Sequence, residues 1–174
     1  AGPAAALVYV DGLVDRTAVD RAVLDPLMGT VPPVQGAQSL AQVAHDLLLR
    51  KGEVRVVTSI ERMVDQLMRG SAALLIDGEA VGLLAGTQGW EVREISEPIT
   101  EGAVRGPRDG FTEHIRTNTA LIRVRLPTPS LKFLRMQIGQ VTRTEVVVAY
   151  LEGITDLALV QEVQTRLSRI QIDG

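Results

Sequence analysis

Residues 72–84, AALLIDGEAVGLL, contain two apolar runs on either side of a polar turn sequence, Asp77-Gly78-Glu79. An Asp-Gly pair tolerates the positive φ angles that a tight turn requires. The pattern therefore predicts a β-hairpin with strands at Ala72–Ile76 and Ala80–Leu84. The remaining elements are assigned on either side of this hairpin.

Strand and helix patterns alternate before the hairpin. Short apolar runs predict strands, and apolar residues at helical spacing, preceded by capping residues, predict helices. Pro26 is expected to end the first helix early, because proline lacks the amide N–H that a helix interior needs. In chain order, the segments are a strand at Ala5–Val10, a helix capped by Thr17 and Asp20, a helix that begins at Ser39, a strand at Val54–Val57 and a helix capped by Thr58 and Glu61.

Further elements follow the hairpin, on either side of a segment rich in glycine and proline, residues 96–110. They are a strand at Trp90–Ile95, a helix at Phe111–Arg125, two antiparallel strands at Leu131–Ile138 and Thr144–Leu151, and a closing helix from Asp156 to Ile170. This order predicts an α/β fold of mixed sheets with flanking helices, arranged in two small lobes.

We divide the chain into three segments. Residues 1–30 form a first strand-turn-helix, which we expect to pack with the C-terminal lobe. Residues 37–95 form a helix-rich α/β lobe that contains the hairpin. Residues 96–174 form an arginine-rich loop, a helix, the antiparallel strands and the C-terminal helix.

The composition excludes several classes of function. The chain has no cysteine, which excludes disulfide bonds, thiolate zinc sites and cysteine nucleophiles. It has no nucleophile elbow, phosphate-binding loop or His-Glu-x-x-His motif. We therefore predict a protein that is not an enzyme and has no catalytic residues, metal or cofactor. No apolar run approaches the roughly 18–20 residues that cross a bilayer, so we expect a soluble chain.

Basic residues concentrate in Arg105–Arg143, which we call the basic segment and which holds eight of the 18 lysines and arginines but only two acidic residues. Its net charge is +6, against −9 for the rest of the chain. A solvated surface explains this pattern, and so does a docking surface for an acidic partner, lipid headgroups or another subunit. Nucleic acid is disfavoured, because only Phe111 and Phe133 offer rings for base stacking.

The most distinctive part of the basic segment is VRGPRDGFTE, residues 104–113, which we call the arginine loop. Its two arginines present guanidinium forks that suit carboxylates. Asn118 lies on the apolar face of the helix that follows, so we expect it to satisfy backbone groups of the loop. The candidate interface or ligand residues are Arg105, Arg108, Asp109, Gly110, Phe111, Glu113 and Asn118.

One short sequence occurs twice: YVDGLVD at residues 9–15 is matched by YLEGITD at residues 150–156. In each copy an acidic residue precedes a glycine, and an aspartate follows where a helix cap is expected. One interpretation is a reused strand-turn-helix unit. The other is that Asp11 and Glu152 form a facing carboxylate pair on adjacent strands, which binds a cation or an amine or serves a hydrolase.

The arginine loop and several other sequences resemble the A-subunit family of nutrient germinant receptors in spore-forming bacteria, the GerA family. A relative among stage V sporulation proteins shares the pattern. In chain order, the matching sequences are YVDGLVD at 9–15, PLM at 26–28, LIDG at 75–78, EP at 97–98, the arginine loop onward through NTALIR at 118–123, LK at 131–132, IG at 138–139, YL at 150–151 and RL at 166–167.

The resemblance implies a domain on the cytoplasmic, spore-core side of the inner spore membrane, attached to a membrane-spanning part that is absent from this chain. Its partners would be the B and C subunits of the receptor, with a homo-oligomer and a small nutrient ligand as further candidates. The implied function is subunit assembly and signal transmission, with the arginine loop as a contact between lobes or subunits. The alternative is a sensor that binds an amino acid or a sugar between two lobes.

Overall fold

The computed structural model describes residues 4–29, 38–89 and 110–170. The chain divides into two compact units, Ala1–Ser96 and Glu97–Gly174. The first unit contains a four-stranded sheet and the second a two-stranded sheet, each accompanied by helices. The predicted α/β class with flanking helices is therefore confirmed. The predicted strand at Trp90–Ile95 lies outside the described residues.

The described elements of the first unit alternate between strands and helices. In chain order they are β1 (Ala5–Val8), α1 (Arg16–Val19), a π-helical turn (Asp20–Leu24), α2 (Asp25–Met28), α3 (Leu40–Leu49), β2 (Val54–Val57), α4 (Ile60–Met68), β3 (Ala72–Ile76) and β4 (Gly82–Ala85). No helix in the described ranges of the chain has both the length and the apolar composition needed to cross a bilayer.

The sheet of the first unit has the strand order β1-β3-β4-β2, and every neighbouring pair is antiparallel. The hairpin predicted at residues 72–84 forms its two central strands, with Leu74 opposite Leu83. Gly78 in the turn has a φ of 82°, the positive value expected of an Asp-Gly turn. Strand β4 is buried along its whole length.

Helices pack on both faces of this sheet. Successive residues of a strand point to opposite faces, so the continuous apolar runs of β3 and β4 supply both apolar layers. One of the resulting clusters contains Val23, Ala44, Leu48, Leu74, Leu83 and Ala85, and a second contains Val57, Leu67, Ala73 and Leu84. The first cluster joins α3 to the sheet, and the second joins α4 to the opposite face.

Strand β1 pairs with β3, with Leu7 opposite Leu74. The N-terminal strand therefore belongs to the sheet of the first unit, whereas residues 1–30 are expected from the sequence to pack with the C-terminal lobe. The physical reason is that Leu7 packs against the same apolar cluster as Leu74. This contact joins residues far apart in the sequence, so no local pattern predicts it.

Two predicted helix starts are wrong by one or two positions. Asp15, not Thr17, caps α1, and its carboxylate accepts the Thr17 N–H at 2.8 Å. Ser59, not Thr58, caps α4. The predicted cap of α3 is confirmed, because the Ser39 hydroxyl accepts the Gln42 N–H at 3.2 Å.

Pro26 does not end the first helix early, because helical conformation continues from Arg16 through Met28. The π-helical turn precedes the proline and changes the hydrogen-bond register from four residues to five. Pro26 then falls in the first turn of α2, directly after this change of register. A proline therefore fits inside a helical segment that this residue was predicted to end.

A buried junction just before β3 depends on Gly70. Its φ is 88°, and a Cβ atom built on it would collide with the carbonyl oxygen of Leu13, a fully buried residue. The Thr87 hydroxyl donates to the Gly70 carbonyl at 3.1 Å. Only glycine fits this position, because it adopts a positive φ without strain and has no Cβ atom.

The second unit is described from Gly110 to Ile170. It contains α5 (Ile115–Arg125), β5 (Leu131–Ile138), β6 (Thr144–Leu151) and α6 (Leu157–Ser168). Strands β5 and β6 pair antiparallel from Leu131 opposite Leu151 to Ile138 opposite Thr144, as predicted. Helix α5 contacts β6 and helix α6 contacts β5, with Leu131 and Val160 buried.

Candidate interaction site

The side chain of Asn118 binds the backbone of Thr112 at two atoms. Its Oδ1 accepts the Thr112 N–H at 2.7 Å, and its Nδ2 donates to the Thr112 carbonyl at 2.8 Å. The Thr112 hydroxyl also donates to Oδ1 at 3.2 Å. The prediction that Asn118 satisfies backbone groups of the loop is confirmed. These bonds fix the end of the arginine loop to helix α5.

The chain beside this pair of bonds carries an exposed aromatic ring. Phe111 is 73% exposed, Glu113 is exposed and Gly110 is half-buried. Exposing a phenyl ring to water forgoes the free energy that its burial would give, and aromatic residues are enriched in protein interfaces. Arg105, Arg108 and Asp109 lie outside the described residues. The described part of the candidate set therefore consists of Gly110, Phe111, Glu113 and Asn118.

Cations farther along the basic segment have defined partners. Lys132 Nζ lies 3.2 Å from a Glu152 carboxylate oxygen, and Arg135 lies 3.1 Å from Glu145. The guanidinium carbon of Arg123 lies 4.7 Å from the centroid of the Phe133 ring. Burial lowers the pKa of Arg123, although an arginine remains charged at any physiological pH.

The contact between Arg123 and Phe133 was not predicted from the sequence. One residue lies in a helix and the other in a strand, so their contact depends on how α5 packs against the β5–β6 pair. The one available signal was that Phe133 is one of two aromatic residues in the basic segment.

The two candidate turn carboxylates each have a basic partner nearby. Asp11 lies 3.2 Å from Arg16, and Glu152 lies 3.2 Å from Lys132, with all four side chains exposed. Strand β1 belongs to the four-stranded sheet and β6 to the two-stranded sheet. The two carboxylates thus do not follow adjacent strands, because each strand pairs within its own unit. Across the described ranges, no group of three or more His, Cys, Asp or Glu side chains is placed to hold a metal ion.

The repeated sequence forms the same local structure in both units. Gly12 and Gly153 have φ values of 83° and 84°. Asp15 caps α1, and Asp156 caps α6 by accepting the Ala158 N–H at 2.9 Å. The interpretation of a reused strand-turn-helix unit is confirmed.

Comparison with known proteins gives consistent matches over the whole chain. Residues 1–174 match the family described as Bacillus/Clostridium GerA spore germination protein. The chain is 36% identical over 169 residues to Spore germination protein KA of Bacillus subtilis, and 30% identical over 168 residues to Stage V sporulation protein AF of the same species. Each alignment covers 97% of this chain but only 31% and 34% of those proteins. The chain thus spans about a third of the length of these relatives.

The fold matches a solved structure from the same group of proteins, the crystal structure of the N-terminal domain of the A subunit of the Bacillus megaterium spore germinant receptor GerK3. The TM-score is 0.73 at 30% sequence identity, and the match covers 99% of this chain and 61% of that chain. The family match over all residues and the shared fold agree with the resemblance noted in the sequence. The chain therefore belongs to the GerA family of Bacillus/Clostridium spore germination proteins.

Proposed function

We propose that this chain is the N-terminal domain of a germinant receptor A subunit and acts in subunit assembly and signal transmission during spore germination. Its similarity to the N-terminal domain of the GerK3 A subunit supports this assignment. Because the chain spans only 31% of Spore germination protein KA, the partners and the location of the complete protein are also part of the proposal. These are the B and C subunits as partners and a position on the cytoplasmic side of the inner spore membrane.

The arginine loop is the proposed contact surface. The observation that carries this proposal is the pair of hydrogen bonds between Asn118 and Thr112, which holds the end of the loop against α5. A segment that is fixed before binding loses less conformational entropy when a partner docks. The exposed Phe111 ring beside it would supply apolar contact area.

The charge of the loop indicates the chemistry of its partner. Arg105 and Arg108 would bind carboxylates through guanidinium forks, and Glu113 would bind a cation at the other end of the loop. The partner surface is therefore an acidic one with an apolar centre. Such a contact transmits a signal when the partner binds two conformations of the receptor with different affinity. No covalent chemistry is required, so the proposed role is binding and not catalysis.

Charge reversal tests this contact. Arg108→Glu, introduced into the complete receptor in spores, is expected to abolish germination while the purified chain keeps its circular dichroism spectrum. Arg62→Glu is a matched control, because Arg62 is an exposed residue of α4 in the first unit and undergoes the same change of charge. Normal germination with Arg108→Glu, or loss of its folded spectrum, would refute the docking role.

A further inference from the structure

Arg123, in the last turn of α5, differs from three other cations of the second unit. Its interaction partner is an aromatic ring, because its guanidinium carbon lies 4.7 Å from the centroid of Phe133. Among the described residues, no carboxylate pairs with it. Three other cations of this unit each pair with a carboxylate: Lys132 with Glu152 at 3.2 Å, Arg135 with Glu145 at 3.1 Å and Arg166 with Glu162 at 2.7 Å.

The described surroundings of Arg123 withdraw its charge from water, and no carboxylate in the described ranges supplies an opposite charge. Desolvation by burial lowers the pKa of Arg123, which means that the charged form has lost hydration. A cation over a ring face recovers part of that loss. A carboxylate recovers more, because it accepts two parallel N–H bonds from the guanidinium edge. The guanidinium of Arg123 has therefore already lost part of its hydration, so less hydration remains to be lost when an anion binds.

The contact with Phe133 also restricts the position of the guanidinium. A guanidinium held over a ring has its position restricted by the aromatic face, so less freedom is lost when its N–H groups form hydrogen bonds. Thr119, one turn earlier on α5, is buried and donates its hydroxyl proton to the Arg116 carbonyl. The Thr119 hydroxyl is thus bonded within α5, and among the described residues no carboxylate occupies the donors of Arg123.

We propose that Arg123, held over Phe133, is a binding site for a carboxylate group. The carboxylate belongs to a small organic acid or amino acid, or to an acidic side chain of another protein. This site goes beyond the proposed contact at the arginine loop, because it uses residues of the last turn of α5 and of β5. Its test needs only the purified chain, so it stands or fails independently of germination.

The test is a titration followed by the arginine side-chain signals. The chain is labelled with ¹⁵N-arginine, and the Nε–Hε resonances are recorded while sodium acetate is added. The Arg123 signal is expected to shift saturably with half-saturation at roughly 10 mM, the affinity of about one charge-assisted pair. Sodium chloride at equal ionic strength should leave it in place, and the Arg135 signal, already paired with Glu145, should move little in either titration.

Two variants separate binding at this site from general screening of charge. Phe133→Leu keeps an apolar side chain in β5 but removes the ring, and it is expected to raise the half-saturation concentration at least about threefold. Arg135→Gln is the control, and it should leave the Arg123 response unchanged. The proposal is overturned if acetate and chloride shift the Arg123 signal equally, or if Phe133→Leu binds acetate as the unchanged chain does.

The source of the carboxylate is distinguished by two further ligands. Glycine presents a free α-amino acid, and N-acetylglutamic acid α-amide presents the side-chain carboxylate of a protein residue. A half-saturation for glycine that is tenfold lower than that for acetate would assign a free ligand. A tenfold lower value for the capped glutamate would assign a protein partner. Failure of both ligands and of acetate to bind more strongly than chloride refutes the site.

Discussion

Asn118 and Thr112 are joined by a cyclic pair of hydrogen bonds, in which one side-chain amide accepts the Thr112 N–H at 2.7 Å and donates to the Thr112 carbonyl at 2.8 Å. The pairing requires a donor and an acceptor on one short side chain, which among the side chains of this length only an amide provides. Asn118 is the single asparagine of the sequence. The attachment of Thr112 to α5 therefore depends on this one residue.

Removing this amide should loosen the loop before it unfolds the unit. Asn118→Ala leaves the N–H and carbonyl of Thr112 without their side-chain partners, which should cost about 1–3 kcal/mol of stability. Urea denaturation measures this loss, and amide hydrogen exchange at Thr112 should accelerate. Unchanged stability together with unchanged exchange at Thr112 would show that the two hydrogen bonds do not hold the loop.

Asn118→Asp separates the two bonds. A carboxylate still accepts the Thr112 N–H, but it has no proton to donate and its charge lies close to the Thr112 carbonyl oxygen. We expect the Thr112 amide to keep most of its exchange protection, while the unit loses stability at neutral pH and regains part of it when the carboxyl is protonated. The measurement is urea denaturation at acidic and neutral pH, with Asn118→Ala as the variant that should lack this pH dependence.

Two glycines with the same backbone conformation should respond differently to alanine. Gly70 and Gly78 have φ values of 88° and 82°, but only at Gly70 would the new Cβ collide with the carbonyl oxygen of Leu13, whereas Gly78 has nothing within 4 Å. Gly78→Ala should cost about 1–2 kcal/mol for the left-handed conformation. Gly70→Ala should cost about 1–3 kcal/mol more. Equal losses in thermal or urea unfolding would contradict the described junction.

The turn carboxylates are expected to be dispensable. Asp11 and Glu152 are exposed and each pairs with a nearby cation, and exposed pairs contribute about 0–1 kcal/mol. Asp11→Asn and Glu152→Gln, separately and together, should leave folding and spore germination unchanged. Loss of germination in the double variant with a folded chain would restore the hypothesis of a functional carboxylate pair.

An exposed ion pair at the end of α4 should make a small part of the folding stability depend on pH in the acidic range. Arg69 Nε lies 3.0 Å from Asp65, and this bond lowers the pKa of the Asp65 carboxyl below its ordinary value. A lowered pKa in the folded state means that the stabilisation is present above the unfolded-state pKa and is lost as pH falls through the folded-state pKa. NMR titration should find a low midpoint for Asp65 that returns to the ordinary range in Arg69→Gln. The same midpoint in both proteins would contradict the pairing.

Local sequence signals predicted the elements whose causes are local. Asp77-Gly78 specified the central hairpin because the turn needs positive φ, and Ser39 specified a helix start because its hydroxyl accepts a nearby N–H. Pro26 misled the prediction because the five-residue hydrogen-bond register of the π-helical turn before it has no recognised signal in the sequence. The pairing of β1 with β3 depends on burying Leu7, a contact that periodicity does not encode.

One contact of the candidate site was predictable from the sequence, and another was not. Asn118 was identified because its helical position placed an amide among apolar residues, next to a loop with unsatisfied backbone groups. The contact between Arg123 and Phe133 was not predictable, because it exists only when α5 packs against the β5–β6 pair. The distribution of charge along the sequence identifies the basic segment. It does not show which cations pair with carboxylates and which, like Arg123, contact a ring.

The claim that the arginine loop is a contact surface is tested most directly by germination of spores that carry Phe111→Ser, compared with Ile60→Ser. Both side chains are 73% exposed, so neither substitution should unfold its unit, and each removes an exposed apolar group. We predict that Phe111→Ser slows germination by at least about tenfold, the effect of losing a residue central to an interface. Ile60→Ser should germinate as the unchanged protein does. Equal germination of the two variants would contradict the account.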